Sequence, residues 1–175
     1  MPVDAHNAWP TISASAIAFM PTDPVPRSAS LQDLAEIKQA FINGAMRARR
    51  LGFDAIELHA AHGYLLHQFL SPLSNQRTDE YGGSLDNRMR LTLEVLDGMR
   101  AALPADFPIG VRISATDWVE GGWNVAQSQV LAQALAARVC AFLHVSSAAL
   151  HPSQQIPIGP GYQVPLAQAL RESLQ

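Results

Sequence analysis

Three short apolar runs alternate along this chain with longer segments whose apolar residues recur every three to four positions. The runs, at residues 55–58, 109–114 and 142–145, have the length of buried strands, and the segments around them predict helices. Continuous apolar strands separated by helices are typical of a parallel sheet that helices cover. The pattern therefore predicts an α/β fold whose alternation is close to the repeat of a (β/α) barrel.

The ends of the predicted helices carry capping residues. Ser30 precedes the first helix and is followed three residues later by Asp33, as in a capping box, while Ser84 and Asn124 can cap the next two. Residues 1–30 instead contain prolines that forbid a continuous helix or a central strand, namely Pro2, Pro10, Pro21, Pro24 and Pro26. We therefore expect residues 1–175 to form a single incomplete barrel segment. It would consist of a long loop over 1–30 and alternating helices and strands over 31–175.

Composition narrows the class of protein. The chain has 175 residues, of which 48% are hydrophobic and 15% charged, so it is long and apolar enough to bury a core. A net charge of -3 gives no reason to expect nucleic acid or an anionic membrane as a partner. The single cysteine, Cys140, cannot form an internal disulfide and is interpreted as a small buried residue. Because no membrane span and no signal peptide are visible in the sequence, we expect a cytoplasmic protein.

The first apolar run ends in the polar motif His59-Ala60-Ala61-His62-Gly63-Tyr64. We interpret residues 55–58 as a strand and His59 onward as the loop at its carboxyl end, where ligands bind in α/β proteins. With Glu57, the two histidines have the atoms of a metal site, but no further Cys or His stands at ligand spacing, so we predict no metal.

The two imidazoles can instead act as hydrogen-bond donors. If their N–H groups converge on one oxygen, they polarise a carbonyl or nitro group, and the phenol of Tyr64 can then deliver a proton. This set of groups suits the reduction of an activated double bond, for which a cofactor must supply the hydride. No G-x-G-x-x-G follows a strand, so the sequence does not predict a dinucleotide bound on a Rossmann turn.

One arginine, Arg112, interrupts the second apolar run. A charge inside such a strand is costly unless it meets an anion or an acceptor. Two interpretations remain open at this stage: a structural ion pair within the sheet, or a contact to a ligand.

The run over residues 52–84, followed by Asn87-Arg88, resembles the old yellow enzyme family of FMN-dependent ene-reductases. The similarity extends more weakly to residues 9–10, 111–114, 146–147 and 160–163. The His-Ala-Ala-His form is similar to the bacterial xenobiotic-reductase and NADPH-dehydrogenase branch. The resemblance implies non-covalently bound FMN, NAD(P)H as reductant, and reduction of activated C=C bonds in α,β-unsaturated carbonyl or nitro compounds.

The resemblance also implies roles for individual residues. His59 and His62 would hold the oxygen of a small-molecule substrate, with Ala60 and Ala61 in the same substrate-binding stretch. Tyr64 would be the proton donor, and Arg112 would lie beside the pyrimidine end of the flavin. Members of the family form dimers or tetramers, so the resemblance is compatible with a homo-oligomer of this chain.

This sequence departs from the family pattern in extent and in detail. The family fold is a complete barrel, and the three strands here would be its fourth to sixth, so we interpret the chain as a central fragment. The alternatives are a truncated or degenerate remnant without independent activity, or a half-barrel that needs a partner chain. Ser146-Ser147 is followed by Ala148-Ala149 rather than by glycine.

Overall fold

The computed structural model describes residues 9–174, which contain five strands and five helices. The strands are β1 (Ile12–Ser13), β2 (Arg27–Ser28), β3 (Ile56–Ala60), β4 (Ile109–Ser114) and β5 (Leu143–Ser146). The helices are α1 (Leu31–Arg50), α2 (Leu65–Leu70), α3 (Leu85–Ala102), α4 (Val125–Ala136) and α5 (Val164–Glu172). None of the helices within the described residues is long and apolar enough to cross a membrane.

Strands β3, β4 and β5 form a parallel sheet in that order, as the sequence predicts. Leu58 lies opposite Val111, both are buried, and they belong to the face that packs on the helices. The other face carries polar side chains, and a single register row aligns His59 with Arg112 and Arg112 with His144. Within residues 9–174, neither β3 nor β5 pairs with a further strand on its outer side.

The predicted caps determine where the helices begin. The hydroxyl of Ser30 accepts a hydrogen bond from the Asp33 N–H (3.1 Å), and the Ser30 N–H donates to the Asp33 carboxylate (2.7 Å), so the capping box is confirmed. Ser84 and Asn124 each accept a hydrogen bond from the backbone N–H three residues later and thereby cap α3 and α4.

The carboxyl end of β3, the first of the three strands predicted from the sequence, differs from the prediction. β3 continues through Ala60, because its ladder with β4 extends to the pairs His59–Arg112 and Ala60–Ile113. His59 is therefore a strand residue, and its placement in a loop was wrong.

Two further predictions concern the amino-terminal loop and the cysteine. Within the predicted loop over 1–30, the described part contains the two-residue parallel pair β1–β2, while Pro2 lies outside the described residues. Arg77 holds this segment by donating hydrogen bonds to the carbonyls of Ala14 (3.1 Å) and Ala29 (2.5 Å).

Cys140 is half-buried rather than buried, and it packs against the core.

Candidate active site

A tight turn at the carboxyl end of β3 brings three aromatic side chains together. The Ala61 carbonyl accepts a hydrogen bond from the Tyr64 N–H (3.2 Å), and the two central residues, His62 and Gly63, have φ values of 57° and 73°. Two consecutive left-handed residues are the signature of a type I′ turn. The ring centroid of His59 then lies 5.3 Å from that of His62 and 5.2 Å from that of Tyr64. The structure therefore brings the side chains of His62 and Tyr64 to that of His59.

Gly63 is required at its position both by its backbone conformation and by the lack of space for a side chain. Its φ is in the left-handed region, and a Cβ added there would lie 2.3 Å from the carbonyl oxygen of Ala149. The turn after β3 is thus packed directly against the backbone that follows β5.

Two serines at the ends of the neighbouring strands hold His62. The hydroxyl of Ser114 accepts a hydrogen bond from the His62 N–H (3.0 Å) and donates one to the carbonyl of Ala148 (3.0 Å). The hydroxyl of Ser146 lies 2.6 Å from Nε2 of the His62 ring, and the amide of Gln163 donates to the same hydroxyl (3.3 Å). Both serines end an apolar strand, which is the sequence signal that marks strand-end residues facing a site.

Burial lowers the pKa of the imidazoles of His59 and His62, and the nearby positive charge of Arg112 lowers both values further. Both rings are therefore neutral near pH 7, since an unperturbed histidine titrates at about 6.5. A neutral imidazole offers one N–H donor and one acceptor nitrogen. Two such donors can polarise an oxygen without placing two positive charges beside Arg112.

Arg112 has a buried side-chain donor without a hydrogen-bond acceptor among the described residues. Its Nε is buried and has no hydrogen-bond partner, and no ion pair with Arg112 occurs among residues 9–174. Glu57, on the same face of the sheet, instead pairs with His144 (3.1 Å) across Gly110. The structural ion pair considered for Arg112 is therefore absent from the described part of the chain. An orphaned buried donor of this kind fits a ligand with an acceptor edge.

The remaining predicted residues differ in their exposure. Tyr64 is 64% exposed, so its phenol faces away from the core and is accessible. Ala60 and Ala61 are fully buried (0% exposed), so they separate the two histidines and offer no side-chain surface to a ligand. No three His, Cys, Asp or Glu side chains gather in a metal-binding arrangement anywhere in 9–174.

A sequence model of the NADH:flavin oxidoreductase / NADH oxidase family matches residues 4–169. The chain belongs to this family. Among curated proteins, it is 48% identical to an NADH:flavin oxidoreductase of Gibberella zeae, over 96% of this chain and 44% of that protein. It is 44% identical to the NADPH dehydrogenase of Halalkalibacterium halodurans, over 93% of this chain and 47% of that protein. The chain thus spans about half the length of the curated relatives that it matches.

Solved structures of the family agree with this assignment. The 2-naphthoyl-CoA reductase complex matches with a TM-score of 0.83 and 30% identity, over 94% of this chain and 26% of that one. The Old Yellow Enzyme from Pichia sp. matches with a TM-score of 0.69 and 31% identity, over 78% and 40% of the two chains. The family resemblance and the prediction of a partial (β/α) barrel are both confirmed.

Proposed function

We propose that this chain provides the substrate-oxygen anchor and the proton donor of an FMN-dependent oxidoreductase. The enzyme would use NAD(P)H to reduce activated C=C bonds of α,β-unsaturated carbonyl or nitro compounds. The observation that carries the proposal is the convergence of His62 and Tyr64 on His59 at the carboxyl end of β3. The lowered pKa values of both imidazoles favour the neutral form that this role needs.

The side chains divide the work by their chemistry. The N–H groups of His59 and His62 bind the carbonyl or nitro oxygen and stabilise the negative charge that develops there. The exposed phenol of Tyr64 donates a proton to the carbon alpha to that group. FMN, when bound and reduced by NAD(P)H, supplies the hydride. The orphaned Nε of Arg112 fits the flavin as an acceptor-bearing ligand, and its charge favours an anionic reduced cofactor.

The anchor role is tested by the binding of a phenolic probe to this chain. We expect 4-hydroxybenzaldehyde to shift the ring NMR signals of both His59 and His62. The variants His59→Ala and His62→Ala should each lower the affinity for this probe about tenfold, because each removes one hydrogen bond to a partly charged oxygen. His151→Ala is the matched control, because His151 lies in the loop after β5 and outside the cluster. Unchanged affinity in the first two variants would contradict the anchor role.

A half-barrel that works with a partner chain is the second candidate. Two observations favour it: the unpaired outer edges of β3 and β5 within the described residues, and coverage of about half of each relative.

A flavin titration separates the candidates. FMN binding and NADPH-dependent reduction of 2-cyclohexenone by this chain alone would establish a self-sufficient enzyme. If both require a chain that carries the complementary strands of a relative, the half-barrel is correct. If neither occurs in either case, the chain is a remnant without independent activity.

A further inference from the structure

The backbone of Gly63 is held on both sides by consecutive residues of α2. The Gly63 N–H donates a hydrogen bond to Nδ1 of His67 (2.9 Å), and the side-chain amide of Gln68 donates to the Gly63 carbonyl (2.7 Å). Gly63 stands between His62 and Tyr64, two of the three residues of the candidate active site. Its orientation therefore sets the direction in which both neighbouring side chains leave the turn.

The hydrogen bonds of His67 determine where its proton lies. A backbone N–H can only donate, so Nδ1 of His67 must be an acceptor and the ring proton must be on Nε2. That Nε2 lies 2.9 Å from Oδ1 of Asp117, and both side chains are fully buried. A second ring proton, on Nδ1, would point at the Gly63 N–H and break the hydrogen bond between Gly63 and His67.

Asp117 is itself fixed in place. Its second carboxylate oxygen accepts hydrogen bonds from the Ser71 hydroxyl (2.6 Å) and from the Trp123 N–H (2.7 Å). A continuous set of hydrogen bonds therefore runs from the loop after β4, through Asp117 and His67, to the turn after β3.

We propose that His67 and Asp117 are positioning residues for the His62–Tyr64 turn. Asp117 holds His67 in the Nε2–H tautomer, and this tautomer presents the lone pair that accepts the Gly63 N–H. The inference rests on the proposed function only in the claim that a better-placed turn binds ligand more tightly. A histidine that merely fills the core would not need this tautomer, whereas a positioning residue would.

Two isosteric variants separate these roles. In His67→Asn the amide oxygen takes the place of Nδ1 and keeps the acceptor for Gly63, but it loses the bond to Asp117. In His67→Gln the amide nitrogen takes the place of Nε2 and keeps the bond to Asp117, but it leaves the Gly63 N–H without an acceptor. Each variant gives up one buried hydrogen bond, so similar losses of thermal stability are expected.

Amide hydrogen exchange at Gly63 and the affinity for 4-hydroxybenzaldehyde are the readouts. We expect His67→Gln to increase the exchange rate at Gly63 about tenfold and to lower the affinity for 4-hydroxybenzaldehyde about tenfold. His67→Asn should change each of these quantities by less than about threefold. Asp117→Asn should resemble His67→Gln in the wild-type background and add nothing to Gly63 exchange in the His67→Asn background, because an amide has no tautomer to fix.

Equal effects of His67→Asn and His67→Gln on Gly63 exchange would overturn the proposal and leave a purely structural histidine. If the wild-type chain does not bind the aldehyde, the proposed function fails, while Gly63 exchange still decides the positioning role. If the variants do not fold, the wild-type protein labelled with ¹⁵N gives the answer. A coupling across the hydrogen bond between the Gly63 amide nitrogen and His67 Nδ1 supports the proposal, and its absence overturns it.

Discussion

The Nε2 atom of His62 lies 2.6 Å from the hydroxyl oxygen of Ser146, although the two residues are 84 positions apart in the sequence. Within residues 9–174 this contact uses one ring nitrogen of His62 and leaves Nδ1 without a hydrogen bond. Ser146 therefore influences which nitrogen of His62 carries the proton, and the proposed function would use the other nitrogen to face a ligand.

Replacing Ser146 by alanine should release the His62 ring. We expect the ¹⁵N shifts of the ring to move toward the tautomer mixture of a free imidazole, and the affinity for 4-hydroxybenzaldehyde to fall about three- to tenfold, the value of one hydrogen bond. Ser147→Ala is the matched control, because the Ser147 hydroxyl accepts from Gln163 and does not contact His62. An equal effect of the two variants would contradict a specific role for Ser146.

Replacing Arg112 by glutamine should raise the pKa of both site histidines. Burial remains, so neither value should return fully to that of a free histidine, but the repulsion between the guanidinium and each imidazolium is lost. The measurement is an NMR titration of the histidine ring protons. Arg138→Gln, two residues after the last residue of α4, should leave both values unchanged. The interpretation fails if Arg112→Gln also leaves them unchanged.

The same pKa shifts make stability depend on pH. Because the pKa values of His59 and His62 are lower in the folded chain than in the unfolded one, the unfolded chain binds more protons once the pH falls through about 6.5. The free energy of unfolding should therefore decrease as the pH drops from about 7 to about 5. Urea unfolding of a His59→Gln/His62→Gln variant should show a shallower decrease than the wild-type chain. Identical slopes would show that these histidines do not contribute.

The contact between Gly63 and Ala149 predicts unequal effects at two glycines. Gly83→Ala, with φ of 78° and nothing within 4 Å of a new Cβ, should lose about 1 kcal/mol of stability from the left-handed backbone alone. Gly63→Ala should lose at least about 2 kcal/mol, because its Cβ also collides with the Ala149 carbonyl. Thermal denaturation of both variants checks this, and similar losses would contradict the close approach.

Ala149 itself offers a stabilising change. It is exposed and has a φ of 71°, a conformation that favours glycine. We expect Ala149→Gly to gain roughly 0.5–1 kcal/mol in chemical denaturation, and Ala167→Gly, on an exposed position of α5, to lose about the same amount. A loss at both positions would argue against the left-handed turn after β5.

The sequence was most informative where the controlling interactions are local. Ser30 and Asp33 are three residues apart and determine the start of α1 by themselves, and the apolar run 109–114 coincides with β4. The end of β3 was less predictable, since it depends on how far the ladder to β4 continues and not on the composition of the motif.

For the candidate site, the sequence predicted which side chains come together but not how they are held. The motif contains His59, His62 and Tyr64, and the structure places the rings of His62 and Tyr64 against that of His59. The partners that hold them are distant in sequence, as with Ser114, whose hydroxyl is 52 positions from His62. No periodicity or spacing reports such a contact, because it arises only when three strand ends meet at one edge of the sheet.

The Ser114 hydroxyl has a consequence for protein engineering. It accepts from the backbone after β3 and donates to the backbone after β5, so one oxygen atom joins both neighbouring loops to the end of β4. A designer who grafts the histidine turn onto another barrel by copying its six residues would leave that oxygen behind. The smallest transplantable unit is three adjacent strand ends with their loops.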